Sequence, residues 1–158
     1  MKQTQCHAVK LEGGAEQAET IATLVGAGIA VIAHVGLRPQ SVHALGGYKV
    51  MRDADRLLHD SKAAEAAGAF CVLLECVPAA DAEQVTRELK VPTIGIGAGK
   101  GCDGQVLVTH DMLGLTSGYV PKFVRPFADL GAQVRAAVSA YCDQVRSGQF
   151  PGDDETFR

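Results

Sequence analysis

The sequence predicts an α/β protein built on a parallel sheet, and two observations carry that prediction. Short apolar runs of strand length alternate with longer amphipathic stretches along the whole chain. The runs are also nearly continuous in apolar residues, as in "AFCVLLECV" (69–77). That is the pattern of strands in a parallel sheet covered on both faces.

The elements follow in order. "HAVKLEG" (7–13) reads as the first strand, and residues 15–27 as a helix with Ala18, Ile21, Ala22 and Val25 on one stripe. "IAVIAHVG" (29–36) is the second strand. "DADRLLHDSKAAEAAG" (53–68) is a helix that stops at Gly68, a residue type suited to the position just past a helix end. The third strand, 69–77, runs into Pro78, which suits a first helical turn, and a helix over 79–89 follows. "VPTIGIGAG" (91–99) and "GQVLVTHDM" (104–112) read as the fourth and fifth strands. A last helix at about 127–147 carries Leu130, Val134, Val138, Tyr141 and Val145 on one side, and 148–158 reads as an irregular tail. A chain of 158 residues is long enough for one domain with a real core, so 1–158 is expected to be a single domain.

Bulk properties exclude several classes. A net charge of -3, with no basic run interleaved with aromatics, gives no case for nucleic-acid binding. The amino-terminal "MKQTQCH" lacks the apolar region of a secretory signal, and the run from Ala27 to Leu37 is too short to span a bilayer. A soluble cytoplasmic chain is expected. The five cysteines (6, 71, 76, 102 and 142) are odd in number and form no C-x-x-C. That argues against a disulfide framework and a structural zinc site, and for small buried hydrophobes.

Chemistry in parallel α/β folds collects at the carboxyl ends of the strands. Lys10 and Glu12 end the first strand on one face, because strand side chains alternate. His34 ends the second, Glu75 the third, and His110 with Asp111 the fifth. The fourth runs into "GIGAGKGCDG", glycines that let backbone approach a ligand. Each residue also has a plain reading: Lys10 and Glu12 as an ion pair, Glu75 as a capping carboxylate, His34 as a satisfied core histidine. His110 and Asp111 read best as structural or capping residues. The shared placement is what favours a site. "GKGCDG" (99–104) is no dinucleotide fingerprint, because a strand and not a helix follows it. A pocket-lining loop is the preferred reading. The "GGYKV" turn (46–50), with Tyr48 and Lys49, reads as tight backbone.

These blocks carry a resemblance. "VKLEGG" (9–14), "HVGLRPQSV" (34–42), "GGYKV", "LLECVP" (73–78), "PTIGIGAGKGCDGQVLVTHDMLGL" (92–115), "PKF" (121–123) and "VRSGQFPG" (145–152) resemble the ketopantoate hydroxymethyltransferase family. The resemblance implies a (β/α)8 TIM barrel, here incomplete and holding the fourth to eighth strands. It implies transfer of a hydroxymethyl group from 5,10-methylenetetrahydrofolate to 3-methyl-2-oxobutanoate with Mg2+, giving 2-dehydropantoate in pantothenate biosynthesis. Glu75 would be the general base, Lys10 and His34 would contact the substrate, and Glu12 would belong to the metal site. A carboxylate among Leu73, Leu74 and Val77 would have its pKa raised and be a stronger base at neutral pH.

The family pattern also places two metal-binding aspartates and a serine in a portion before the fourth strand, and the chain carries no motif in their place. Met51-Arg52 stands where the family has Gln-Gly-Arg. A complete barrel needs roughly 250 residues, and a partial one leaves open strand edges that invite pairing. A homo-oligomer, or a complementing amino-terminal piece, is therefore expected. The alternatives are a truncated inactive remnant and an interaction module.

Overall fold

The structure is a computed structural model that describes residues 3–41 and 50–157. Tyr48 and Lys49 of the expected "GGYKV" turn lie outside the described residues. The chain divides into two compact units, Met1–Val106 and Leu107–Arg158.

The first unit holds five parallel strands, β1 (Val9–Glu12), β2 (Val31–Gly36), β3 (Cys71–Glu75), β4 (Thr93–Ile96) and β5 (Gly104–Gln105), side by side in chain order. Helices α1 (Ala18–Gly26), α2 (Ala54–Ala66) and α3 (Ala79–Glu88) follow the first three strands. Crossovers between parallel strands are right-handed almost without exception. Repeated in one direction without reversal, they bring every helix to the same face. The core agrees: Leu57, Ala82 and Val85 of the helices cluster with Val35, Val72 and Leu74, while Ile21 and Ala64 cluster with Val31 and Ala33. A doubly wound sheet would reverse its strand order, so this winding is compatible with part of a TIM-barrel-like fold.

Helices on one face only differ from the expectation of a sheet covered on both. Strand side chains alternate and paired positions point the same way. With Val31, Ala33, Val72 and Leu74 under the helices, Lys10, Glu12, His34, Leu73 and Glu75 share the opposite face. The alternation of "VKLE" in β1 is the local sign of this arrangement.

Capping explains where α2 starts and stops. The Asp53 carboxylate accepts from the Arg56 backbone N–H at 3.0 Å, and Gly68 turns the chain away with φ +97°. Pro78 stands just before α3 as its cap residue and not within the first turn.

The glycine-rich loop after β4 is pinned by a carboxylate that folds back on the strand. Asp103 accepts from the Thr93 backbone N–H at 2.8 Å and from the Thr93 hydroxyl at 3.2 Å. Thr93 is fully buried, and its hydroxyl also lies 2.8 Å from that of Thr86 on α3. Removing one partner of a buried hydrogen-bond network strands the others. Asp103→Ala is therefore expected to lower unfolding free energy by about 1–3 kcal/mol, measured by urea denaturation.

The second unit contains a single helical turn, α4 (Thr109–Met112), and the long helix α5 (Leu130–Ser147). The fifth strand was expected over 104–112, but it stops at Gln105 and 109–112 is helical. His110 and Asp111 therefore do not end a strand. Asp111 instead accepts the Thr116 hydroxyl at 2.5 Å. α5 starts three residues later than the expected 127, where the Asp129 carboxylate accepts from the Ala132 N–H at 3.0 Å. Its apolar stripe is half-exposed, Val134 at 54% and Tyr141 at 55%. The tail is not wholly irregular: Asp153–Glu155 form a 3-10 turn closed by the Gly152 N–H on the Glu155 carboxylate at 2.9 Å. Among the described residues no helix is long and apolar enough to cross a membrane.

Candidate active site

Three adjacent strands build one polar cluster at their carboxyl ends. Lys10 comes from β1, His34 from β2 and Glu75 from β3, all on the face away from the helices. His34 is 1% exposed and sits at the centre. Its Nδ1 lies 3.0 Å from Lys10 Nζ, and its Nε2 lies 3.1 Å from Glu75 Oε2. The second contact is close but off-axis, and Nε2 makes no hydrogen bond among the described residues. Glu12 Oε1 lies 3.9 Å from Nδ1, beyond hydrogen-bond reach. The other Glu12 oxygen accepts from the Gln40 backbone N–H at 3.1 Å. The sequence-predicted residues Lys10, Glu12, His34 and Glu75 are thus brought together, while His110 and Asp111 belong to the other unit.

The environment of Glu75 differs from the expected apolar pocket. Leu74 and Val77 belong to the core under the helices, so of the three expected neighbours only Leu73 shares its face. The partner beside its carboxylate is the His34 imidazole.

The strand end that carries Glu75 is clamped on three sides. The Glu75 carbonyl accepts from the Leu37 N–H at 2.9 Å. The Cys76 N–H donates to the Ile96 carbonyl at 2.9 Å, and the Cys76 carbonyl accepts from the Met51 N–H at 3.0 Å. Cys76 holds φ +51°, a left-handed conformation that is costly outside glycine and persists where surroundings over-determine it. None of this strain could be read from "LLECVP", because cysteine carries no turn signal.

The cysteines are all free. Burial pushes the Cys76 thiol up, with the Glu75 charge adding to it; burial and then the Asp103 charge do the same to Cys71. Cys6 is exposed, contrary to the expected burial, and its thiol is lowered chiefly by the hydrogen bond from the Thr4 hydroxyl. The thiolate is the reactive form. Iodoacetamide at neutral pH is expected to alkylate Cys6 ahead of Cys71 and Cys76, as read by peptide mass mapping.

A shallow cleft opens between Gly14, Gly36 and the first turns of α2. It does not include Lys10, His34 or Glu75. Its charges are already engaged: Arg38 pairs with Glu16, Arg56 with Asp60 at 3.6 Å, and Asp53 caps α2. The buried side-chain polar atom left without a hydrogen-bond partner among the described residues is His34 Nε2, outside the cleft.

Magnesium wants several oxygen ligands in near-octahedral array. Among the described residues no three His, Cys, Asp or Glu side chains converge as a metal-ligand group. Glu12 offers one carboxylate, half of it engaged by Gln40. The described residues by themselves do not fit a magnesium site.

A buried histidine flanked by an amine and a carboxylate thus stands at the carboxyl edge of a parallel sheet with helices on one face, an arrangement compatible with part of a TIM-barrel-like α/β fold. The family model for ketopantoate hydroxymethyltransferase matches residues 1–153, and the chain belongs to that family. It is 64% identical over 157 residues to the 3-methyl-2-oxobutanoate hydroxymethyltransferase of Rhodopirellula baltica, covering 99% of this chain and 58% of the relative. Enzymes of the same name from Mycobacterium sp. (strain KMS) and Paracoccus denitrificans are 54% and 55% identical, with 57% and 58% of their lengths covered and 99% of this chain in each case. The chain thus spans under two thirds of the length of the curated relatives it matches.

Proposed function

We propose that this chain supplies the proton-abstracting half of a 3-methyl-2-oxobutanoate hydroxymethyltransferase in pantothenate biosynthesis. The observation that carries the reading is the placement of Lys10 and Glu75 on either side of buried His34. In this reading the Glu75 carboxylate takes the C3 proton of the keto acid. The C–H electron pair moves into the C2–C3 bond, and the ketone oxygen becomes an enolate oxygen. The Lys10 ammonium stands where that negative charge develops, which lowers the barrier. The nucleophilic C3 then bonds to the methylene carbon of 5,10-methylenetetrahydrofolate; both carbon–nitrogen bonds to that carbon break in the course of the transfer, water supplies the hydroxyl oxygen, and tetrahydrofolate leaves.

The five strands correspond, in this reading, to the fourth to eighth strands of a (β/α)8 barrel. Glu12 is one magnesium ligand among others that come from outside the described residues. The outer edge of β1 is unpaired among those residues, so the natural partner is an amino-terminal piece or a further copy in an oligomer. A second reading, an inactive piece that only joins such an assembly, is favoured by the lack of a three-residue metal-ligand group among the described residues.

Proton exchange decides between the two. With the protein in heavy water, magnesium and 3-methyl-2-oxobutanoate, and no folate, loss of the C3 proton signal by NMR is expected. A folded, assembled protein that leaves the proton in place for hours would sink the catalytic reading.

A further inference from the structure

The chain leaves β3 through one strained residue, and the strain has a direction. Strand side chains alternate, so a strand continued past Glu75 would send Cys76 toward the helices and Val77 to the polar face beside Glu75. Val77 does the opposite: it is 3% exposed and packs in the helix-side core with Val35, Leu74 and Ala82. The reversal is made at Cys76, where φ is +51°. Among the described residues the other non-glycine with a positive φ is Gln5, which is exposed. At the end of β2 and just past β4 the same sign of φ falls on glycines, Gly36 and Gly97. A left-handed backbone outside glycine is costly, and such residues gather at working sites. Two backbone bonds hold this one, from the Cys76 N–H to the Ile96 carbonyl at 2.9 Å and from the Met51 N–H to the Cys76 carbonyl at 3.0 Å. Gly36 leaves room for the turned chain, since a Cβ there would stand 2.9 Å from Val77 Cγ1. Glu75 is thereby the last residue of the strand, with its carboxylate 3.1 Å from His34 Nε2.

We infer that Cys76 is a positioning residue: its left-handed backbone ends β3 at Glu75, aims that carboxylate toward His34, and keeps the apolar Val77 side chain from standing beside it. The backbone angle acts here, and the thiol does not. A residue that resists the angle would let the chain run on as strand, which turns Val77 toward the polar face and pulls Glu75 off its line. The part this plays in proton abstraction rests on the proposed function above; the positioning of Glu75 does not.

The test compares Cys76→Asn with Cys76→Val by NMR. Asn tolerates a left-handed backbone, whereas a β-branched side chain resists it. The first readout needs no turnover: nuclear Overhauser contacts between the Glu75 side chain and the His34 ring. They are expected in the parent and in Cys76→Asn, and are expected to weaken or vanish in Cys76→Val. The second readout is C3-proton exchange of 3-methyl-2-oxobutanoate with magnesium in heavy water. It is expected to be about 10²-fold slower in Cys76→Val than in Cys76→Asn, the scale of a catalytic group displaced by about 1 Å. Parent-like contacts in a folded Cys76→Val overturn the inference. Their loss in Cys76→Asn also overturns it, because the thiol and not the angle would then matter. Where Cys76→Val does not fold, Cys76→Thr, β-branched but nearer to cysteine in shape, decides by the same readouts. Contacts in the stated order with equal exchange rates overturn the part in the reaction. Contacts in the stated order with no exchange in any of the proteins count against the proposed function and support the positioning.

Discussion

Glu75→Gln is expected to slow C3-proton exchange of 3-methyl-2-oxobutanoate by about 10²–10⁴-fold, the range a positioned general base contributes. The amide keeps the shape and volume of the acid but offers no oxygen basic enough to hold the proton. The fold should tolerate the change. Glu75 is 17% exposed at its side chain, and the strand end is held through backbone groups of Glu75 and Cys76, which the substitution leaves alone. NMR in heavy water measures the exchange, and the same samples' amide spectra should superimpose away from β3. Exchange within a few-fold of the parent would remove Glu75 from the chemistry.

Gly36→Ala carries the largest expected cost in stability. A Cβ at this position would stand 2.4 Å from the Glu75 carbonyl oxygen and 2.9 Å from Val77 Cγ1. The first neighbour is backbone and cannot swing aside. Gly36 also holds φ +91°, a conformation that L side chains rarely adopt. Overpacking and backbone strain together should cost about 2–4 kcal/mol, read as a fall in the urea midpoint. The consequence also reaches the site, since Gly36 pairs with Glu75 across β2 and β3. A variant that unfolds like the parent would mean that β2 and β3 can part without penalty.

Much of this was legible in the sequence because it is local. Gly68 announces the end of α2, and the apolar runs announce β2 and β3, since those signals are chemical properties of single residues and short spacings. The meeting of Lys10, Glu12, His34 and Glu75 was legible as common placement at strand ends. Two of the readings that failed show the physical reasons most directly. "QVLVTHDM" is a short apolar run, and such runs fit a strand or a helix start equally until the tertiary surroundings choose. Near-continuous apolar strands signal burial but do not say what covers each face; only the strict alternation of Val9, Lys10, Leu11 and Glu12 pointed to a one-sided helix layer. The engagement of Nδ1 by Lys10, the left-handed Cys76 and the carboxylate clamp of Asp103 on Thr93 depend on residues distant in the chain or on backbone angles, so no local pattern carried them.

The one-sided sheet has a consequence for how this sequence can change over generations. Lys10, His34 and Glu75 each depend on an alternation of period two within a different strand. Deleting one residue inside β1, β2 or β3 would swing every side chain beyond it to the other surface. A group of the polar cluster would move under the helices, and an apolar one would take its place. Insertions between the strands, by contrast, leave the alternation intact. Length variation among functional descendants should therefore gather in the connections, while the three strands keep their residue count even where their side chains drift.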